Sequence, residues 1–144
     1  HNCNQETVLR AIGSDSRIGN NFLRYGFGYG GPCLPRDNRA MGVAAKDAGL
    51  NLPICEATDL SNDLHRNFQR EECEKRNAKE EYIIFNGLSY KRDSDIIEES
   101  QKLALAVDLA RKGYKVLLKD RKAVIQQIEA LYANLFTYEL TKDE

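Results

Sequence analysis

One cysteine stands in surroundings that could make it a nucleophile. Cys33 follows Pro32 and precedes Leu34-Pro35-Arg36-Asp37 in the stretch RIGNNFLRYGFGYGGPCLPRDNRAM, Arg17 to Met41. A thiol just ahead of a helix N-terminus and near a guanidinium is favoured as thiolate by the helix dipole and by the cation. A thiolate can attack a carbonyl carbon, hold it covalently and leave again. The plain alternative is a small buried hydrophobe, a common fate of free cysteine. Asp37 stands at the N-terminal end of the following helix, where a carboxylate can cap exposed amides.

Ahead of the cysteine lie Gly26, Gly28, Gly30 and Gly31. Glycine at this density permits positive φ and lets backbone amides approach a ligand, while each proline fixes φ and removes a donor. Gly26, Gly28 and Gly31 spell G-x-G-x-x-G. The dinucleotide fingerprint, however, needs a buried strand before it and a helix opening on its last glycine. Here RIGNNFLRY precedes and Pro-Cys-Leu-Pro interrupts. The stretch reads instead as a shaped loop that presents amides and a thiol.

Composition narrows the field. A chain of 144 residues that is 42% hydrophobic can bury a core, in one or two small domains. A formal net charge of −1 argues against a general polyanion-binding surface, so nucleic acid is not an expected partner. Cys3, Cys33, Cys55 and Cys73 are widely spaced, and with His1 and His65 they make no metal-ligand pattern. The charge-rich chain shows no signal peptide, so reduced thiols and a cytoplasmic location are expected. No apolar run is long enough to span a bilayer, and no membrane partner is expected.

The elements that must position these residues follow from periodicity. Val8, Leu9 and Ile12 predict a short helix ending at Gly13, and Gly13 to Ser16 a turn that delivers Arg17. A helix is predicted from Asp37 through Ala48 with Gly49 just past its end. After Pro53, the positions Ile54, Ala57, Leu60 or Ser61, Leu64 and Phe68 predict a long amphipathic helix reaching Cys73 or beyond. Its charged residues, Arg66 and Arg70 to Arg76, are read as a solvated face. This helix is expected to link two domains, 1–76 and 77–144. Tyr82 to Phe85 reads as a buried strand, Glu99 to Lys112 as a helix, Tyr114 to Lys119 as a second strand and Ala123 to Leu131 as a helix. The tail Leu135 to Tyr138 would add an irregular strand or pack beside the others. Alternation of strand and helix gives an α/β class with parallel strands, whose carboxyl ends, at Ser89-Tyr90-Lys91 and Asp120, are where ligands bind.

Two segments carry a resemblance. FGYGGPCLPRDNRAM resembles the catalytic-cysteine segment of the UDP-glucose/GDP-mannose dehydrogenase family, and GLSYKRDSDIIEES resembles that family's strand-end motif. The chain looks most like the UDP-glucose type, although the cysteine segment is shared with the mannose type. The resemblance implies a helical segment of a dimerisation domain, 1–76, followed by a partial Rossmann-like, UDP-sugar-binding domain, 77–144. It implies a homodimer through the helical region and a fragment without the family's N-terminal NAD domain, inactive alone.

The resemblance further implies oxidation of a UDP-sugar's primary alcohol by two NAD+, with the aldehyde held on Cys33 as thiohemiacetal and then thioester. Asp37 matches the aspartate that handles the hydrolytic water, and Arg36, with Cys33, faces the cofactor. Arg24, Tyr25, Gly26, Phe27, Gly28, Tyr29 and Gly30 match the loop that wraps the substrate. Tyr90 and Lys91 match a substrate-contacting pair, and Arg17 an arginine that reaches the partner subunit's sugar. Read without the resemblance, Lys91 and Arg17 are solvated surface charges. Glu98 departs from the family, standing where an arginine contacts the cofactor. The competing reading is a non-catalytic nucleotide-sugar-binding or oligomerisation module.

Overall fold

Asn4 opens the first helix, its side chain accepting the Thr7 N–H at 3.0 Å. In the computed structural model, which describes residues 3–141, this helix is α1 (Gln5–Gly13). His1 lies outside the described residues. A run of turns from Ser14 leads through Arg17 into the glycine loop.

Helix α2 (Leu34–Asp47) starts directly after Cys33, three residues earlier than the sequence predicted. Pro35 is tolerated because first-turn amides have no intrahelical acceptor to lose. Asp37 is therefore not a cap. Its N–H already makes an α-helical bond, to the Cys33 carbonyl at 2.8 Å. At the other end Gly49 sits at φ +71, and the Leu50 and Gly49 N–H groups donate back to Ala45 and Lys46, the glycine-closed ending that periodicity predicted.

Helix α3 (Pro53–Arg76) is long, as expected, but its two faces are inverted from the expectation. Ile54 and Leu64, expected inward, are 79% and 59% exposed, and no α3 residue is buried. The side turned to the rest of the chain is polar. Arg66 pairs with Asp63 and Asp108, and Glu74 with Arg70 and Lys112, so part of the face read as solvated is packed against the second half of the chain. Periodicity finds a stripe but does not say which side the chain itself will cover.

The second half is a β-α-β-α-β unit. Strands β1 (Tyr82–Asn86), β2 (Lys115–Asp120) and β3 (Thr137–Leu140) form a parallel sheet in that order, with Ile83 opposite Val116 and Leu118 opposite Tyr138. Helix α4 (Gln101–Arg111) connects the first two strands, and α5 (Lys122–Tyr132) with a short 3-10 turn connects the last two. The tail is thus a third strand in the sheet. Ser100 caps α4, its hydroxyl accepting the Leu103 N–H at 3.3 Å.

The hydrophobic core lies in this half. Ile83 and Phe85, Val116 and Leu118 meet Leu105, Leu109, Val124 and Ile128 from the two helices, together with Leu88 and Phe136. Each fully buried aliphatic side chain contributes about 1.5–3 kcal/mol relative to exposure. In the helical half, by contrast, Pro35 and Ala45 are the buried apolar side chains among the described residues, and Phe22 is 95% exposed. No described helix is long and apolar enough to cross a membrane.

Candidate active site

The glycine loop is held by the polar face of α3. Asp59, Asn62, His65 and Gln69 recur at three- to four-residue spacing, which aligns them on one side of a helix. His65 Nε2 bonds the Gly26 carbonyl at 2.6 Å, and the Gln69 amide donates to the same oxygen at 3.4 Å. A carbonyl only accepts, so His65 carries its proton on Nε2. The Asn62 amide donates to the Tyr29 carbonyl at 2.8 Å, and the Tyr29 hydroxyl donates to Asp59 Oδ1 at 2.6 Å. Burial, and then the carboxylate beside it, push the Tyr29 phenol up to about 12. The Tyr29 hydrogen bond, with Arg39 in support, holds the Asp59 carboxyl below its ordinary range.

Arg39 of α2 joins this face to the start of α4. Its Nε donates to Asp59 at 3.1 Å and its Nη1 to Glu99 at 2.7 Å. Glu99 has φ +52, a left-handed conformation that costs a side chain with a Cβ. Its carbonyl oxygen lies where a Cβ on Gly30 would be, so Gly30 is required by close backbone approach. Gly31, at φ +92, passes within 2.5 Å (Cβ position to ring) of Tyr90, which ties the loop to the sheet's carboxyl end.

Between loop and sheet lies a cavity of about 490 Å³. Arg24, Tyr25, Phe27, Gly28, Gly30, Tyr90 and Lys91, all singled out from the sequence, line it. Arg92 and Lys102 bring its cations to four with Arg24 and Lys91, and no carboxylate of the described residues lines it. Such a lining suits a multiply charged anion.

The other singled-out residues lie off this cavity. Gly26 is turned to α3 and borders a second cavity with Tyr25 and Phe27, and the Tyr29 hydroxyl is spent on Asp59. Cys33 is exposed at the N-cap position of α2, two residues beyond Gly31. Arg36 and Asp37 are exposed on the next turn and pair with each other at 3.0 Å, so the Arg36 guanidinium is engaged by its neighbour. Arg17 is 87% exposed and clamped by Asp15 at 2.6 Å. Asp120, expected at the ligand end of β2, is buried and occupied by backbone, accepting the Leu88 N–H at 2.5 Å and the Arg121 N–H at 2.7 Å.

Sequence reasoning missed Lys102, Arg39 and the polar face of α3. The spacing of Asp59, Asn62, His65 and Gln69 was visible, but the apolar stripe on the same helix drew the inward assignment. Lys102 gave no signal, being one lysine in an amphipathic helix. Its Nζ donates to the Asn86 carbonyl at 2.8 Å and stands 5.3 Å from the Phe27 ring centroid. Burial pushes its pKa down, with Asp120 opposing and Arg92 adding to the shift. Among the described residues no cluster of three or more His, Cys, Asp or Glu could hold a metal ion.

Fold and cleft together define an α/β protein in which a helix-borne glycine loop and the carboxyl end of strand β1 enclose a cationic cavity, with an exposed thiol two residues past the loop's last glycine. Residues 1–64 match the UDP-glucose/GDP-mannose dehydrogenase family, central domain. The UDP-glucose 6-dehydrogenase of Pseudomonas aeruginosa is 33% identical over 118 residues, covering 80% of this chain and 26% of that protein. The GDP-mannose 6-dehydrogenase of Pseudomonas putida is 28% identical over 126 residues, covering 78% and 28%. A UDP-glucose dehydrogenase structure from the hyperthermophilic archaeon Pyrobaculum islandicum superposes with a TM-score of 0.83 at 27% identity, covering 95% of this chain and 32% of that one. The chain belongs to the UDP-glucose/GDP-mannose dehydrogenase family. It spans roughly a quarter to a third of the length of these relatives.

Proposed function

We propose that this chain carries the thiol and sugar-nucleotide part of an NAD-dependent UDP-glucose 6-dehydrogenase. The observation that carries the reading is the cavity, where four cations and no carboxylate of the described residues stand at a parallel sheet's carboxyl end, next to the loop that leads into Cys33. A diphosphate linking a nucleoside to a sugar matches that lining. Arg24 and Lys91 would hold the diphosphate, and Tyr25, Phe27 and Tyr90 would pack on rings. The backbone of Gly28 and Gly30 leaves room for them.

Cys33 would add its thiolate to the aldehyde carbon of the half-oxidised sugar, forming a C–S bond while the carbonyl oxygen takes a proton. At the thioester stage, water attacks that carbon and the sulfur leaves as thiolate. Asp37, one turn further along α2, would take the proton from that water. Exposed Cys33 and Arg36 on one helix turn fit the edge of a cofactor site, and NAD+ supplies the hydride acceptor when bound. Arg17, held outward by Asp15, would serve the partner subunit's site in a homodimer formed through the helical region.

The test is substitution of each thiol in the complete gene product. Cys33→Ala should abolish formation of UDP-glucuronate, while Cys55→Ala and Cys73→Ala keep it. Mass spectrometry of a quenched Asp37→Asn reaction should find the sugar adduct on Cys33. Acid formation at the wild-type rate by Cys33→Ala would overturn the covalent role.

A further inference from the structure

We propose that Lys102 is an anion-binding residue of the same cavity, contacting a phosphate of the bound ligand. The inference rests on the reading of that cavity as a nucleotide-sugar site. Lys102 is the second residue of α4, after Ser100 at the cap. A cation there opposes the helix dipole, whose positive end favours anions. The side chain is also half-buried. Its three donors find one protein acceptor among the described residues, the Asn86 carbonyl, with the Phe27 ring face beside it. The neighbouring carboxylate, Asp120, has its oxygens committed to the Leu88 and Arg121 amides. A partly desolvated charge with no salt-bridge partner among the described residues is costly, and it sits at the helix end least suited to it. Both costs are relieved by one event, the arrival of an anion in the cavity that Lys102 lines with Arg24, Lys91 and Arg92.

Placement makes the contact specific. Lys102 bridges the loop, through Phe27, and the end of β1, through Asn86. A phosphate drawn to it therefore sits where the two parts of the cleft meet. Loss of the charge should weaken binding of a diphosphate directly, without displacing Phe27 if the stem is kept.

The experiment is calorimetric titration of the complete gene product with UDP-glucose and with inorganic pyrophosphate. Lys102→Met keeps the stem over Phe27 and removes the charge, and Lys102→Arg restores a cation. Lys102→Met should weaken both probes about ten-fold and reduce the salt dependence of binding. Lys102→Arg should stay within about three-fold of wild type. Because Lys102→Met removes a half-buried charge that has no salt bridge among the described residues, its melting temperature should not fall. Wild-type affinity for pyrophosphate in a folded Lys102→Met protein overturns the inference, and the nucleotide-sugar reading survives if UDP-glucose still binds. Lys102-dependent pyrophosphate binding with no UDP-glucose binding supports the inference and sinks the nucleotide-sugar reading. Binding of neither probe by wild type overturns both. Should Lys102→Met not fold, Lys102→Gln takes its place with the same expectations.

Discussion

Arg39 holds both oxygens of Glu99, Nη1 to Oε1 at 2.7 Å and Nη2 to Oε2 at 3.4 Å, joining α2 to a residue in left-handed conformation at the edge of the cavity. The pair is half-exposed, so its worth to global stability is modest, roughly 1 kcal/mol or less. Its larger effect is local, because the Glu99 carbonyl abuts Gly30. Arg39→Met should lower the melting temperature by only a few degrees, but it should speed amide exchange around residues 28–31 and 99–101. Hydrogen exchange with mass spectrometry checks this, and unchanged protection in both segments would refute the clamp.

Tyr29→Phe removes the hydroxyl that donates to Asp59 and should cost about 1 kcal/mol in urea unfolding at neutral pH. The pH dependence gives the sharper readout. The folded phenol is pushed up to about 12 from the ordinary tyrosine value of 10.0, so the unfolded chain loses its proton first. The contribution of Tyr29 is complete below pH 10 and is lost as pH rises through about 12. Wild type should therefore lose stability across that window more steeply than Tyr29→Phe.

Gly30→Ala and Gly19→Ala should separate close approach from backbone freedom. A Cβ on Gly30 meets the Glu99 carbonyl, which belongs to the backbone and cannot swing aside, whereas a Cβ on Gly19 meets open space at φ +72. Gly30→Ala should cost about 2–3 kcal/mol and abolish ligand binding. Gly19→Ala should cost about 1 kcal/mol and leave binding intact. Equal losses in the two variants would contradict the account.

Thiol reactivity should follow exposure. Cys3 and Cys33 are exposed, while burial pushes the Cys73 thiol up and leaves less thiolate. Brief treatment with iodoacetamide at pH 8, read by peptide mass spectrometry, should label Cys33 before Cys73. Faster labelling of Cys73 would show that the helix faces are assigned wrongly.

The outer stripe of α3 is the surface through which we expect the chain to self-associate. Leu60 and Leu64 are each 59% exposed, and the apolar positions continue through Ile54 and Phe68. Leu64→Lys should turn a dimer into a monomer in sedimentation velocity. A wild-type monomer at all accessible concentrations would rule out this surface.

How much of this was legible beforehand depended on what each pattern encodes. The strands Tyr82–Asn86 and Lys115–Asp120 were readable because short apolar runs between polar segments have few other uses. The cavity residues Arg24, Phe27, Tyr90 and Lys91 were readable through motif resemblance, which local chemistry alone would not have supplied. Helix α2 starts three residues ahead of the expected Asp37, because the first helical turn accepts Pro35. The Arg39–Glu99 pair joins residues sixty positions apart, and no local pattern announces such a contact. Lys102 escaped for the opposite reason, since a lysine two residues into a helix is ordinary until its surroundings show that no described carboxylate forms a salt bridge with it.

Helix α3 carries two unlike surfaces back to back. Asp59, Asn62, His65 and Gln69 grip the glycine loop, and Leu60 and Leu64 look the other way. A partner that seats on the outer side and turns this rod by a fraction of a turn moves the carbonyls of Gly26 and Tyr29 with it. Self-association and ligand affinity are then linked quantities, and the linkage is reciprocal: whatever factor dimer formation adds to ligand affinity, ligand must return to the dimer constant.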